Sequence, residues 1–191
     1  PMSSSAADKV LTVSPTYARE IMTPQFGCDL DPFYLSIQEK VAGILNGIDL
    51  EVWNPAADDL IPTVFGLQNM QQRIKNKLYL QEKFNLEQND ELPLLVVVSR
   101  FDSQKGIDLV FESLKQLTWK PWQAILLGSG DPGLETSSQA LAMAMPGRVH
   151  VENRYDSALS HQLYAGGDIL LMPSRYEPCG LAQMIGMRYW C

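Results

Sequence analysis

The sequence has only three cysteines, two histidines and no long apolar run, and each shortage excludes a class of protein. Cys28, Cys179 and Cys191 are odd in number and far apart, which gives neither a disulfide framework nor a zinc pattern. That usage fits a reducing, intracellular setting. No stretch approaches the roughly 20 apolar residues that a membrane-spanning helix needs. Pro1 to Asp8 is small and polar and lacks the charged and apolar regions of a secretory leader. A first residue of proline reads as the start of a processed or excised piece. Basic residues are scarce too: 15 Lys and Arg stand against 22 Asp and Glu, a net charge of −7. That balance argues against nucleic acid or an anionic membrane as a general partner. What is present is ordinary globular composition, 46% hydrophobic over 191 residues. The length suits one domain or one and a half.

The first ninety residues are irregular. Lys9 to Pro15 reads as a short strand ended by proline, and Thr16 to Met22 as a two-turn helix. Thr23 to Pro32 reads as loop, Phe33 to Val41 as a weakly amphipathic segment, and Gly43 to Asp49 as a bend or hinge. Asn69 to Phe84 favours helix, with Ile74, Lys77, Leu78 and Gln81 at helical spacing. From Pro93 the pattern becomes regular. Leu94 to Ser99, Trp122 to Leu127, Arg148 to Glu152 and the apolar run Asp168 to Pro173 read as strands, the last as a buried one. Between them Ile107, Val110, Phe111, Leu114 and Leu117 mark one helix. Leu134 to Met145 marks a second, and Ser157 to Tyr164 a third with Ser157 as N-cap. Ala182 to Tyr189 closes the chain as a helix. Strand–helix alternation of this kind predicts an α/β fold, a Rossmann-like parallel sheet with flanking helices.

Such sheets bind ligands beyond the carboxyl ends of their strands. Four loops should gather there: Arg100 to Gly106, Gly128 to Gly133, Asn153 to Asp156, and Ser174 to Gly180. Arg100 and Lys105 suit a diphosphate, one as a planar fork and one as a mobile point charge. Taken alone, the pair reads more simply as two solvated cations. Gly128-Ser129-Gly130 has the form of a phosphate or ribose cradle, although glycine-rich turns also serve geometry alone. Tyr155 suits stacking on a purine or plain packing. Glu177 places a carboxylate at the mouth, Pro178 suits a first helical turn, and Gly180 allows close approach of a ligand to the backbone. The other reading of that stretch is a plain βα loop with an exposed glutamate. Cys179 reads as a contact residue rather than a nucleophile, for no base is paired with it locally. His150 alternates between valines and reads as exposed, and His161 reads as a surface residue. Met143, Met145, Met172, Met184 and Met187 read as core filling.

Taken together, several stretches resemble the bacterial glycogen synthase and starch synthase family. They are Thr12-Val13-Ser14-Pro15-Thr16-Tyr17-Ala18-Arg19-Glu20, Leu45-Asn46-Gly47-Ile48-Asp49, Trp53-Asn54-Pro55, and Ser99-Arg100 with Gln104-Lys105-Gly106. Leu127-Gly128-Ser129-Gly130-Asp131-Pro132, Pro173-Ser174-Arg175 and Glu177-Pro178-Cys179-Gly180-Leu181 complete the set. The family's members are retaining glucosyltransferases in which two Rossmann-like domains face a cleft, the GT-B fold. The resemblance implies ADP-glucose as donor, an α-1,4-glucan as acceptor, no metal and no cofactor. It implies that Arg100 and Lys105 hold the donor phosphates and that Glu177 steadies the transferred glucose. Cys179, Gly180 and Leu181 would form the turn that touches glucose hydroxyls and phosphate. Gly128 would lie near the nucleotide, and Tyr155 would stack on adenine.

The family's first domain bears a Lys-Thr-Gly-Gly-Leu motif and a catalytic histidine, neither of which occurs in these residues. After Met187-Arg188-Tyr189 the family continues with glycine, a strand and a Thr-Gly-Gly-Leu loop, where this sequence has Trp190-Cys191. The resemblance therefore implies that residues 1–42 are the tail of the N-terminal domain and residues 43–50 the hinge. Residues 51–191 would be an incomplete C-terminal nucleotide-sugar domain, with the acceptor bound through the missing N-terminal domain. The expected function is that of a glycogen or starch synthase fragment, inactive alone and of the bacterial cytoplasm or a plastid stroma. A non-catalytic nucleotide- or glucan-binding module and a UDP-sugar transferase of the same fold are the other two readings.

Overall fold

The structure is a computed structural model, and it describes residues 6–191. The chain divides into two compact units: residues up to Gly47 together with Glu177–Leu181, and Ile48–Tyr176 together with Ala182–Cys191.

In the first unit, strand β1 (Val10–Thr12) is followed by helix α1 (Pro15–Glu20) and helix α2 (Asp31–Ser36), then by strand β2 (Val41–Gly43). β1 and β2 pair in parallel, Val10 opposite Val41. Pro15 opens α1 rather than closing the strand, because Ser14 caps the helix by accepting the Tyr17 N–H at 2.9 Å. The expected amphipathic segment Phe33 to Val41 is instead the end of α2, a 3₁₀ turn over Gln38–Lys40 and the start of β2.

The second unit holds helix α3 (Arg73–Lys83), strand β3 (Leu94–Val98), helix α4 (Ile107–Gln116), strand β4 (Gln123–Leu127) and helix α5 (Pro132–Ala144). Strand β5 (Val149–Glu152), helix α6 (Ser157–Gly166) and strand β6 (Ile169–Leu170) follow, with helix α7 (Leu181–Arg188) last. The four strands form one parallel sheet in the order β5-β4-β3-β6, as the strand–helix alternation predicts. Successive residues of β3 point to opposite faces, so both faces are apolar. Leu95 and Val97 pack with Phe101, Val110, Phe111 and Leu114. Leu94 and Val96 pack with Leu80, Leu159 and Leu163.

Several local expectations fail for physical reasons. Asp168 to Pro173 is not a buried strand: only Ile169 and Leu170 pair, at the sheet edge, and Ile169 is 47% exposed. On α3 the buried face carries Asn76, Lys77, Leu80 and Gln81, while Ile74 faces solvent. Each buried polar group there has a specific partner: Asn76 exchanges two hydrogen bonds with the Thr63 backbone. Lys77 donates to the Asp90 carbonyl at 2.7 Å and pairs with Asp168 at 2.7 Å. Asp156, not Ser157, caps α6, accepting the Leu159 N–H at 2.8 Å. Leu117, Met143 and Met187 are exposed rather than core. α7 begins at Leu181, so Pro178 precedes the helix instead of opening it. His150 is half-buried, stacked on Phe84 with centroids 4.2 Å apart, and burial holds its imidazole below the ordinary value. His161 is fully buried, against the expectation of a surface residue.

Candidate functional site

The strand order sets the place of a site before any side chain is considered. The chain runs β3 to β4 to β5 in one direction, then returns to lay β6 on the opposite side of β3. That reversal is a topological switch point, where loops leaving neighbouring strands diverge and open a crevice. The loops that flank it are those leaving β3 and β6.

The loop after β3 carries both cations and is organised by a residue that sequence reasoning passed over. Asp102 Oδ1 accepts the Lys105 N–H at 2.9 Å, and Asp102 Oδ2 lies 3.1 Å from Arg100 Nη2. One carboxylate thus closes the turn and holds the Arg100 side chain, which remains 68% exposed. An aspartate that starts a turn three residues before its amide partner is a turn signal of its own, and it was the available clue. Lys105 is half-buried in the same loop, immediately before Gly106. Gly106 has φ of 66°, and a Cβ there would stand 2.2 Å from the Pro173 carbonyl oxygen, in the segment after β6. Only glycine meets both conditions.

The loop after β4 is zipped to the loop after β3. The Phe101 N–H donates to the Ser129 carbonyl at 2.9 Å, and the Asp131 N–H to the Phe101 carbonyl at 2.8 Å. Gly128 is buried beneath this zipper, where its N–H donates to the Glu152 carbonyl at 3.1 Å. The Gly130 N–H donates to Glu135 Oε1 at 2.8 Å. Two of the three amides of the expected cradle therefore already have protein acceptors, and the glycine at 128 answers to close backbone approach. Asp131 Oδ1 caps α5 through the Gly133 and Leu134 amides.

After β5, Tyr155 stands 89% exposed between Arg154 and Asp156. Arg154 bridges Glu152 and Asp156, so the loop that presents the ring is held on both sides. The Asp156 carboxyl lies below its ordinary value, chiefly through the Leu159 N–H. Arg100, Lys105, Gly128 and Tyr155 thus all follow carboxyl ends of one parallel sheet. Glu177, Cys179, Gly180 and Leu181 belong to the other compact unit. There Glu177 Oε1 accepts the Gly180 N–H at 3.3 Å, and Gly180 takes φ of 77° just before α7. This places a carboxylate over a helix start, where the backbone favours negative charge. Cys179 is half-buried and Leu181 exposed. Among the described residues, no group of three His, Cys, Asp or Glu is arranged to hold a metal ion, and no helix is long and apolar enough to cross a membrane.

Comparison with known proteins bears on the family and the fold. Residues 80–187 match the family of glycosyl transferases group 1, and residues 2–35 match the starch synthase catalytic domain. Glycogen synthase of Novosphingobium aromaticivorans is 47% identical over 186 residues, which is 97% of this chain and 38% of that protein. Glycogen synthase 2 of Bradyrhizobium diazoefficiens is 47% identical over 183 residues, 96% of this chain and 38% of that protein. Among solved structures, the catalytic domain of starch synthase IV from Arabidopsis thaliana, bound to ADP and acarbose, superposes with a TM-score of 0.91 at 36% identity. That match covers 96% of this chain and 38% of the plant chain. The chain therefore spans well under half the length of these relatives. With more than half of its residues inside the group 1 match, and glycogen and starch synthases as its relatives, the chain belongs to the glycogen and starch synthase family of group 1 glycosyl transferases.

Proposed function

We propose that this chain carries the donor-nucleotide side of a glucosyl transfer from ADP-glucose to the non-reducing end of an α-1,4-glucan, with retention at the anomeric carbon. The observation that carries the reading is the Arg100–Lys105 loop beside the switch point, with two cations ordered by Asp102. In the transfer, the bond from glucose C1 to the β-phosphate oxygen breaks, C1 bonds to the acceptor hydroxyl oxygen, and the hydroxyl proton passes to the departing phosphate. Negative charge grows on the departing ADP. Arg100 and Lys105 oppose that charge where it develops, which is where fixed cations accelerate a reaction. Glu177 orients the glucose and steadies the positive charge on its ring. Cys179, Gly180 and Leu181 form the turn for glucose hydroxyls and phosphate, Gly128 lies near the nucleotide, and Tyr155 stacks on adenine. Residues 1–42 serve as the tail of a first domain, 43–50 as hinge and 51–191 as the nucleotide-sugar domain. Support comes from the 47% identity to glycogen synthases and from the ADP bound by the Arabidopsis relative.

Calorimetric titration with ADP, with UDP as control, tests the donor reading. Saturable ADP binding that weakens at least about tenfold in Lys105→Ala is expected, a loss of about 1.4 kcal/mol. Equal affinity for UDP, or an unchanged Lys105→Ala, would overturn it. The 191-residue chain alone is expected to transfer no glucose, since it spans only 38% of the length of its glycogen synthase relative. Labelled glucose passing from ADP-glucose into glycogen in its presence would sink that expectation.

A further inference from the structure

Three cations, Arg100, Lys105 and Arg175, lie on the loops that flank the switch point, and the third has a different commitment from the others. The Arg175 guanidinium faces the Asp108 carboxylate as a planar pair, Nη1 to Oδ1 at 2.8 Å and Nη2 to Oδ2 at 2.6 Å. Nη1 also donates to the Ser103 carbonyl at 2.7 Å. The Arg175 N–H donates to the Gln104 carbonyl at 2.8 Å, and Gln104 Nε2 reaches back to the Tyr176 carbonyl at 3.4 Å. Next to these, Gly106 packs against the Pro173 carbonyl so closely that no side chain fits. Ser103, Gln104, Gly106 and Asp108 are thus each held against residues 173–176, and Lys105 sits between two of them. The Arg175 partnership also holds the Asp108 carboxyl below its ordinary value.

We propose that Arg175 and Asp108 form a clasp that positions the Lys105 loop for the donor diphosphate, so that Arg175 is a positioning residue and not a phosphate ligand. The proposal rests on the donor-site reading above. Both terminal nitrogens of Arg175 are already engaged, whereas the Arg100 guanidinium, 3.1 Å from Asp102, is mostly exposed. An exposed ion pair contributes little by itself unless it is bidentate and part of a network, and this one is both. Its effect is geometric: it fixes where Gln104 and Gly106 stand, and therefore where the residue between them points its ammonium.

The sign of one substitution separates the clasp from direct ligation. By charge alone, removing Asp108 from the neighbourhood of an anion site should leave ADP affinity unchanged or raise it. A clasp requires the opposite. Arg175→Ala and Asp108→Ala are each expected to weaken ADP binding about tenfold. The double variant should be no weaker than either single one, because both substitutions remove the same tie. Circular dichroism and the thermal midpoint confirm that each variant is folded. Hydrogen exchange at the Lys105 and Arg175 amides gives a readout that needs no nucleotide, and protection at both should fall in both single variants. ADP affinity retained or raised in Asp108→Ala while Arg175→Ala loses it would overturn the clasp and make Arg175 a ligand. If the parent chain binds no ADP, the donor-site reading fails. Exchange then decides the clasp alone, and unchanged protection in both variants would overturn it.

Discussion

Gly128→Ala is expected to lower the thermal midpoint of the unit formed by Ile48–Tyr176 and Ala182–Cys191 by about 10 °C, the equivalent of roughly 3 kcal/mol for a chain of this size. A Cβ at residue 128 would stand 1.9 Å from the Ser99 carbonyl oxygen and 2.6 Å from Phe101 Cε1. Neither neighbour can move aside cheaply. Ser99 donates its N–H to the Leu127 carbonyl at 3.1 Å, and Phe101 is fully buried and bonded through its own amide to the Ser129 carbonyl. Relief therefore means parting β3 from β4 at their carboxyl ends, which puts the cost at the upper end of the usual range for an added methylene, about 1–3 kcal/mol. Arg100 follows Ser99 directly, so ADP affinity should fall with stability. Gly66→Ala is the control: its Cβ would meet only Ala56 Cβ at 3.7 Å and Asn69 Oδ1 at 3.8 Å, ordinary contact distances. It should stay within about 0.5 kcal/mol of the parent. A Gly128→Ala protein that melts within about 2 °C of the parent would show that the loops are not rigidly zipped.

The same residue shows what a sequence can and cannot carry. Gly128 was legible as a special position, because a glycine after an apolar strand and before a helix marks a βα turn. Its reason was not legible, since the crowding atoms belong to Ser99 and Phe101, in the loop after another strand. Strand and helix identity followed from local pattern: the β-branched run of β3 and the spacing of Ile107, Val110, Phe111 and Leu114 on α4 need no partner to be read. β6 failed because an apolar run signals burial only when both neighbours are present, and Ile169 lies at an edge. The face of α3 failed because Asn76, Lys77 and Gln81 are buried through hydrogen bonds that hydropathy counts against burial. At the site, the cations Arg100 and Lys105 stood out by charge. Asp102 and Asp108 drew no reading, and Arg175 entered only within the stretch Pro173-Ser174-Arg175. Their meaning lies in pairings across loops, such as Arg175 to Asp108 over 67 residues, and no periodicity reports those.

Asp58→Ala is expected to be the most destabilising single carboxylate removal, about 3–5 kcal/mol, because more than one buried polar partner loses its acceptor. Asp58 Oδ2 accepts the Tyr189 hydroxyl at 2.5 Å and lies 2.8 Å from His161 Nδ1, while Oδ1 accepts the Leu60 N–H at 2.9 Å. His161 and Asp58 are each only 3% exposed. Burial, then the bond to Asp58, pushes the Tyr189 hydroxyl above its ordinary value, so it stays a donor. Truncation would strand a buried imidazole and a buried phenol, each at a cost of about 1–3 kcal/mol. Trp53 stacks on His161 with centroids 4.0 Å apart and meets Tyr164 and Tyr189 edge-on, which closes the cluster to solvent. The Trp53-Asn54-Pro55 stretch thereby roofs the contact by which the segment after Ile48 is fastened to α6 and to Tyr189. Asp58→Asn keeps the shape and an acceptor, so its loss should be smaller; Tyr189→Phe removes one donor and should cost least. Urea unfolding of the three variants gives the order directly. Asp58→Ala with the parent's midpoint would mean that the network closes a surface already held by its apolar neighbours. The expected order would instead identify the buried carboxylate as the point that joins the segment after Ile48 to α6 and to Tyr189.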